Sequence, residues 1–202
     1  MKKELTIFGS LLSKYTLDKQ DIDNINSVYE NAKKNLNSYA HGLVGNLHSE
    51  LEFISLLKTT TAYKPLCDYI EDYINDLTKF NLIKEGEKNL KIVHCWINDM
   101  QPGDYQPPHT HNGRKGWSTV LFLKVPEFIK TTKYESKFQD GKLGFMNPNA
   151  IDIDWYEPKV GDFYMFEASH SHMVMPFKSV NNELRRSMSF NFAEDNLNEQ
   201  VS

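Results

Sequence analysis

The sequence predicts an α+β protein, mainly β, in which an antiparallel barrel or two-sheet jelly roll carries helices on one outer face. Up to about residue 89, apolar residues recur at helical spacings of three to five. From about residue 90 onward, short apolar and alternating runs are separated by Gly, Pro, Asn and Asp, as strands are. A run of helices followed by six or seven short strands is typical of a sheet covered on one side by helices.

The individual elements follow from these patterns. Helices are predicted over residues 17–36, from a capping box at Ser49 and Glu52 through about Leu57, and from Tyr63 to Phe80. After a first strand near the N-terminus, strands are predicted over residues 91–99, 117–125, 142–146, 151–155, 161–167, 172–177 and 185–193.

Length and composition favour one folded domain. A chain of 202 residues can bury an ample core, so we expect a single domain over residues 1–202, with a mainly helical part at 1–89 and a jelly-roll core at 90–194. The net charge of −4, without a sustained basic run, argues against nucleic acid or an anionic membrane as a partner. Cys67 and Cys95 fall in apolar patterns, where buried free thiols are usual, and this favours a reducing cytoplasm.

A histidine doublet follows the Gly/Pro-rich turn after the strand at residues 91–99. His109 and His111 are two residues apart, so in an extended segment both imidazoles point the same way and can share one metal ion. Iron, copper, nickel and zinc all accept imidazole. His-x-His also occurs by chance on surfaces, so the doublet requires a third ligand from elsewhere.

A second cluster, SHSH at residues 169–172, offers that ligand. His170 and His172 follow an apolar strand, and histidines from separate strands can converge at the mouth of a barrel. The alternative is that both are edge residues hydrogen-bonded to a loop.

The last predicted strand has an unusual polar face. Alternation places Arg185, Ser187, Ser189 and Asn191 on one side and apolar residues with Arg186 on the other. A buried arginine is costly without a partner. Because its planar fork binds carboxylates in bidentate fashion, Arg185 could hold the far end of a dicarboxylate whose near end chelates the metal.

The order and spacing of these motifs resemble the iron(II)- and 2-oxoglutarate-dependent oxygenases, in particular a poorly characterised branch common in marine bacteria and their phages. The resemblance covers roughly residues 90–193, and less specifically residues 38–47. The matching residues are Trp96, Asn98, Gly103-Asp104-Tyr105, Pro108-His109-Thr110-His111, Ser118, Gly161, Phe166, His172 and Arg185-x-Ser187-x-Ser189-Phe190-Asn191.

This resemblance implies a double-stranded β-helix and assigns roles to the residues. His109 and His172 would be ligands of Fe(II), and Arg185 with Ser187 would bind the distal carboxylate of 2-oxoglutarate. Pocket-lining positions would be Trp96, Asn98, Ser118 and Asn191. The implied reaction is hydroxylation of a small molecule or peptidyl side chain by O2, with release of succinate and CO2; a homodimer is left open.

The sequence departs from the family at one position. His111 stands where the usual metal site has Asp or Glu, so either three neutral histidines coordinate or His111 lies behind the ligands. Asp99 and Asp104 are near enough in sequence to orient a ligand imidazole. His170 is expected at the rim of the pocket.

Two other functions stay open. A three-histidine cupin-type dioxygenase would use a metal without 2-oxoglutarate, and a non-catalytic jelly roll would serve in binding or structure. The sequence does not name the substrate. The charged segment at residues 126–140 is interpreted either as a substrate lid or as an ordinary solvated connection.

Overall fold

The computed structural model describes residues 2–7, 10–40, 44–83, 90–111, 116–130, 139–147 and 152–194. Within these ranges the helices are α1 (Lys19–Ala32), α2 (Ile54–Leu57) and α3 (Tyr63–Lys79). The strands are β1 (Lys3–Ile7), β2 (Leu11–Thr16), β3 (Ser49–Glu52), β4 (Leu90–Met100), β5 (Gln106–His109), β6 (Trp117–Lys124), β7 (Leu143–Met146), β8 (Ile153–Tyr156), β9 (Asp162–Glu167), β10 (His172–Val174) and β11 (Arg185–Glu194).

The strands form two antiparallel sheets. The larger has seven strands in the order β1-β2-β9-β6-β11-β4-β3, and the smaller has four in the order β5-β10-β7-β8. Neighbours in these orders are mostly distant in sequence, as in a β-sheet wound back on itself. The predicted fold class, mainly β with a double-stranded β-helix, is confirmed.

The outer core lies between the helices and one face of the larger sheet. Ile25 and Tyr29 of α1 and Tyr73 of α3 belong to one buried cluster with Phe190 and Met188 of β11. All five side chains have no exposed surface. Truncation of a buried Phe to Ala costs about 3–5 kcal/mol, so this layer contributes strongly to stability. The prediction that the helices pack on one outer face is confirmed.

The second core lies between the two sheets. Phe122 of β6 and Phe166 of β9, from the larger sheet, pack with Phe145 of β7 and Val174 of β10 from the smaller one. This cluster closes one part of the space between the sheets. The remaining part is lined by polar residues and forms the candidate site.

Most predicted elements are found within a few residues of their expected bounds, but the capping box is wrong. Ser49–Glu52 forms β3 and pairs with β4, with Ser49 opposite Asp99 and Glu52 opposite Trp96. The short helix begins only at Ile54. Because a cap motif is a weak local preference, the extended partner β4 decided the conformation.

The segment before the histidine doublet contains a strand that the sequence did not predict. β5 (Gln106–His109) includes Pro107 and Pro108 and lies at the edge of the smaller sheet. Proline lacks an N–H donor and is confined to edge strands, so the position is compatible with its sequence.

Three further predictions concern membrane helices, the two cysteines and the lid segment. None of the described helices is long and apolar enough to cross a membrane. Cys67 and Cys95 are free thiols, half-buried and buried respectively. Residues 131–138 of the predicted lid lie outside the described residues, so that interpretation stays a prediction.

Candidate metal centre

Three histidines converge at one end of the smaller sheet. His109, His111 and His172 each bring a ring nitrogen to within 4.8 Å of the others. His109 and His172 are directly paired across β5 and β10. The backbone N–H of His111, two residues past His109, donates to the carbonyl of Ala168 at 2.9 Å, which fixes the segment beyond β5. The doublet and the distal histidine therefore meet as the sequence predicted.

The rings are oriented by hydrogen bonds at their Nδ1 atoms. Nδ1 of His109 lies 2.9 Å from the Pro107 carbonyl oxygen, and Nδ1 of His172 lies 3.0 Å from that of His170. Nδ1 of His111 lies 3.0 Å from the side-chain oxygen of Asn191. Because an oxygen of this kind only accepts, each Nδ1 carries the proton, and each Nε2 keeps its lone pair for a ligand bond.

Burial favours the neutral state of two of these rings, His109 and His172. Desolvation lowers the pKa of His109 despite the bond to Pro107. Burial, followed by the proximity of His109 and His111, holds the pKa of His172 well below its ordinary value. Neutral imidazole is the form that binds a metal, so the environment prepares the ring for coordination.

No described carboxylate joins the cluster. The expectation that Asp99 or Asp104 orients a ligand imidazole is wrong. Asp99 lies on the opposite face of β4 and forms a bidentate ion pair with Arg186, at 2.5 and 2.8 Å. Asp104 accepts backbone N–H bonds from His48 at 2.7 Å and Gln101 at 2.8 Å, and so ties two loops together.

His170 lies outside the cluster. Its Nδ1 is 2.8 Å from the Ser10 hydroxyl, its Nε2 is 3.0 Å from the Met146 carbonyl, and only 6% of the residue is exposed. It does not line the pocket described below, so it is a buried hydrogen-bonded residue rather than part of the rim that the sequence predicted.

A polar pocket extends from the histidines between the two sheets. The predicted residues Trp96, Asn98, Ser118, Arg185 and Ser187 all line it. Asn191, also predicted to line it, instead accepts the bond from His111. The pocket is also lined by residues that no sequence pattern indicated: Gln106, Thr119, Val120, Leu143 and Val174. Their assignment needed the pairing of the two sheets, which no local pattern encodes.

Arg185 is the charged group of this pocket. It is 1% exposed, its Nη1 donates to the Gly141 carbonyl at 2.9 Å, and its guanidinium carbon lies 4.9 Å from the centroid of the Phe122 ring. Burial lowers the pKa of the guanidinium to about 9. An anionic ligand would offset this cost, because a buried cation needs a counter-charge.

Three buried polar atoms that line this pocket have no hydrogen-bond partner in the described chain. They are Nε1 of Trp96, Oδ1 of Asn98 and Nε of Arg185. An unpaired buried donor or acceptor costs about 1–3 kcal/mol, so native proteins rarely keep several together without a ligand or water. The imidazoles therefore fit a metal, and the two unpaired donors, on Trp96 and Arg185, fit a polar, anionic molecule beside it.

A double-stranded β-helix that presents a cluster of histidines and a buried arginine to one polar pocket is the arrangement expected of a metal-dependent oxygenase. Comparison with known proteins agrees. Residues 94–191, which hold the three histidines and Arg185, match the family described as putative 2OG-Fe(II) oxygenase. The match covers just under half of the chain, and this part is similar to the 2OG-Fe(II) oxygenases, whose cofactors are Fe(II) and 2-oxoglutarate.

Solved structures of similar fold extend over nearly the whole chain. A prolyl-4-hydroxylase of Pseudomonas putida is 15% identical, with a TM-score of 0.62 over 91% of this chain and 92% of that one. A prolyl hydroxylase of Trichoplax adhaerens, solved with a peptide fragment of hypoxia inducible factor, is 13% identical, with a TM-score of 0.62 over 95% and 87%.

A viral collagen prolyl hydroxylase of Paramecium bursaria chlorella virus 1 is 15% identical, with a TM-score of 0.59 over 96% of this chain and 95% of that chain. At these identities the likeness shows the fold. No curated protein matches the sequence.

Proposed function

We propose that the protein is a 2-oxoglutarate-dependent hydroxylase in which His109, His111 and His172 hold Fe(II) and Arg185 anchors the cosubstrate. The observation that carries this proposal is the presence, in one pocket, of three converging imidazoles and a buried guanidinium with an unpaired Nε. Bound Fe(II) and 2-oxoglutarate supply the activation of O2, with release of succinate and CO2.

The histidines hold the metal through their Nε2 atoms. Their Nδ1 atoms are fixed by three separate oxygen acceptors, so each ring keeps its tautomer and direction. Three protein ligands leave other coordination positions for the cosubstrate and O2. On this assignment His111 replaces the carboxylate of the usual site, and the protein contributes no negative charge to the metal.

Arg185 and Ser187 receive the distal carboxylate of 2-oxoglutarate. The two side chains share a face of β11 and both line the pocket. The Gly141 carbonyl and the Phe122 ring hold the guanidinium in place, and its Nε stays available for the ligand. A carboxylate in this position makes a charge-assisted bond and compensates the buried charge.

The remaining polar walls orient the cosubstrate. Trp96 supplies a free N–H donor, and Ser118, which is 1% exposed, supplies a hydroxyl. Asn191 contributes indirectly by positioning His111. These groups are presented by strands rather than loops, and strands hold a site geometry more rigidly.

Aromatic packing keeps water from the metal. The ring centroids of Phe166 and Phe145 lie 4.7 and 6.1 Å from that of His172, and the Trp96 centroid lies 6.0 Å from that of His111. A dry surround strengthens the electrostatic interactions inside the pocket and limits side reactions of the oxidant.

The substrate class is a small metabolite or a peptidyl side chain. The similar structures include prolyl hydroxylases, one of them solved with a peptide, which supports an amino-acid side chain as the position that is hydroxylated. Two free thiols, one of them buried, support a reducing cytoplasm as the location.

Turnover of 2-oxoglutarate tests this proposal directly. Succinate formation should require added Fe(II), and Arg185→Ala should raise the KM for 2-oxoglutarate at least 30-fold, since loss of one partner of a buried charge pair costs about 2 kcal/mol or more. Arg185→Lys keeps the positive charge but loses the forked guanidinium. Its KM for 2-oxoglutarate should therefore lie between those of the wild type and Arg185→Ala. Succinate formation that survives Arg185→Ala unchanged would overturn the assignment.

His111 favours one other function, a three-histidine dioxygenase that uses the metal without 2-oxoglutarate. Such an enzyme would bind Fe(II) as strongly but would not bind 2-oxoglutarate. Calorimetric titration of the metal-loaded protein with 2-oxoglutarate separates the two, because only a hydroxylase of the proposed kind should show saturable binding that is lost in Arg185→Ala.

A further inference from the structure

An acidic strand edge adjoins the pocket. β3 is the outermost strand of the larger sheet, and its register with β4 places Glu50 opposite Asn98 and Glu52 opposite Trp96. Residues directly opposite in an antiparallel pair share one face of the sheet. Asn98 and Trp96 both line the pocket, so the two glutamates continue that face beyond the metal and cosubstrate residues.

The contacts of Leu51 on the other face of β3 confirm the direction in which the Glu50 and Glu52 side chains point. Leu51 packs against the outer core beneath the helices. It alternates with Glu50 and Glu52, which therefore point away from the helices. The acidic side chains belong to the inner surface of the β-helix.

Glu50 is a buried carboxyl without a cation partner in the described chain. It is 9% exposed. Burial, and after it the negative charge of Asp104, raises the pKa of its carboxyl group. Asp104 is itself held by two backbone N–H groups, from His48 and Gln101. A buried carboxylate near a second, half-exposed one is costly unless a cation joins them.

Asn98 supplies an independent sign of a ligand. It is 3% exposed, lines the pocket, and its Oδ1 is unpaired in the described part of the chain. A lone acceptor beside a buried carboxyl calls for a group that brings several N–H donors and a positive charge. Ammonium and guanidinium groups have both properties.

We propose that the substrate of this enzyme carries an ammonium or guanidinium group, which Glu50 binds together with the free oxygen of Asn98. The proposal rests on the proposed function, because it places the substrate beside the same pocket. The cation can belong to a free basic amino acid or to a lysyl or arginyl side chain of a peptide. In either case Glu50 determines specificity without touching the metal.

Binding of simple probes tests this inference. The protein is loaded with Mn²⁺ and 2-oxoglutarate under nitrogen and titrated with L-lysine, L-arginine and Nα-acetyl-L-lysine methylamide. Norleucine and citrulline serve as neutral counterparts. At least one cationic probe should bind about tenfold or more tightly than its neutral counterpart. Tighter binding of free lysine would indicate a metabolite as the substrate, and tighter binding of the capped lysine would indicate a peptide.

Two matched variants locate the interaction. Glu50→Gln should abolish the preference for the cationic probe, while its thermal midpoint stays equal to or above that of the wild type, because a buried like charge is removed. Glu157→Gln makes the same change at an exposed position after β8 and should keep the preference. A Glu50→Gln protein that still prefers the cation, or wild-type protein that binds no cationic probe better than its neutral counterpart, overturns the inference.

The cationic substrate and the hydroxylase function can fail separately in this experiment. Binding of 2-oxoglutarate is measured separately in the same preparation. Absent cosubstrate binding with a Glu50-dependent preference for cations refutes the hydroxylase alone. Normal cosubstrate binding without that preference refutes the cationic substrate alone.

Discussion

The Nδ1 atom of His111 lies 3.0 Å from the Oδ1 atom of Asn191. This contact joins the segment beyond β5 to β11, the strand that also carries Arg185. The histidine cluster lies largely on the smaller sheet and the residues proposed to bind the cosubstrate lie on the larger one, so this bond links the two parts of the candidate site. On the proposed assignment, it also orients the His111 ring for coordination at the position of the usual carboxylate.

Asn191→Ala should weaken metal binding by about 10- to 100-fold, the usual effect of losing a group that orients a ligand. Titration of the protein with Mn²⁺, followed by calorimetry or electron paramagnetic resonance, measures the change. Asn191→Asp keeps an oxygen acceptor for Nδ1 and should retain most of the affinity. Equal affinity in wild type and Asn191→Ala would show that His111 is not a ligand positioned by this bond.

His111→Asp should increase the affinity for Fe(II). It adds a negative charge next to the ion and restores two histidines with one carboxylate, and we expect a gain of about tenfold, or 1.4 kcal/mol. His48→Asp introduces the same substitution at an exposed position and should leave metal affinity unchanged. An unchanged or lower Fe(II) affinity in His111→Asp would argue that the three-histidine arrangement is itself the preferred donor set.

Alternation along strands made much of the site predictable. The period of two separates Arg185 and Ser187, which line the pocket, from Met188 and Phe190, which are buried under the helices. The same period places both histidines of the doublet in one cluster. These inferences held because the side-chain directions of a regular strand follow from backbone geometry alone.

Other features depended on contacts between distant segments. Ser49 and Glu52 satisfied a helix-capping pattern, but pairing with β4 made the segment a strand. Asp99 was predicted to support a ligand, although the same alternation that turns Asn98 toward the pocket turns Asp99 toward Arg186. Its true partner lies 87 residues away in sequence, and no local pattern indicates that pair.

Gly141→Ala should impair cosubstrate binding by displacing the carbonyl that holds Arg185. Gly141 has φ +69°, and a Cβ there would lie 2.5 Å from the ring of Phe128. The strain of a left-handed residue costs about 1–2 kcal/mol, and the clash should add to it and shift the backbone. The KM for 2-oxoglutarate and the free energy of unfolding in urea report the two effects.

Gly103→Ala is the matched control for that experiment. Gly103 has φ +94°, but a Cβ there would meet nothing within 4 Å. It should therefore lose stability through backbone strain alone and keep the wild-type KM. If Gly141→Ala raises KM no more than Gly103→Ala does, the Gly141 carbonyl does not position Arg185.

Asp99→Ala should destabilise the fold by about 3 kcal/mol, because it leaves the buried guanidinium with only the exposed Glu30 carboxylate, 2.9 Å from its Nη1, as a counter-charge. The Arg186 side chain has no exposed surface and also contacts Asn26 at 3.1 Å and the Tyr29 ring at 4.4 Å. The double variant Asp99→Leu, Arg186→Met removes both charges and should recover most of the lost stability, since a buried ion pair can be replaced by apolar residues of similar size. Unfolding in urea measures the free energy of unfolding of the wild type, Asp99→Ala and the double variant. A double variant as unstable as Asp99→Ala would mean that Asp99 stabilises the fold through contacts other than this ion pair.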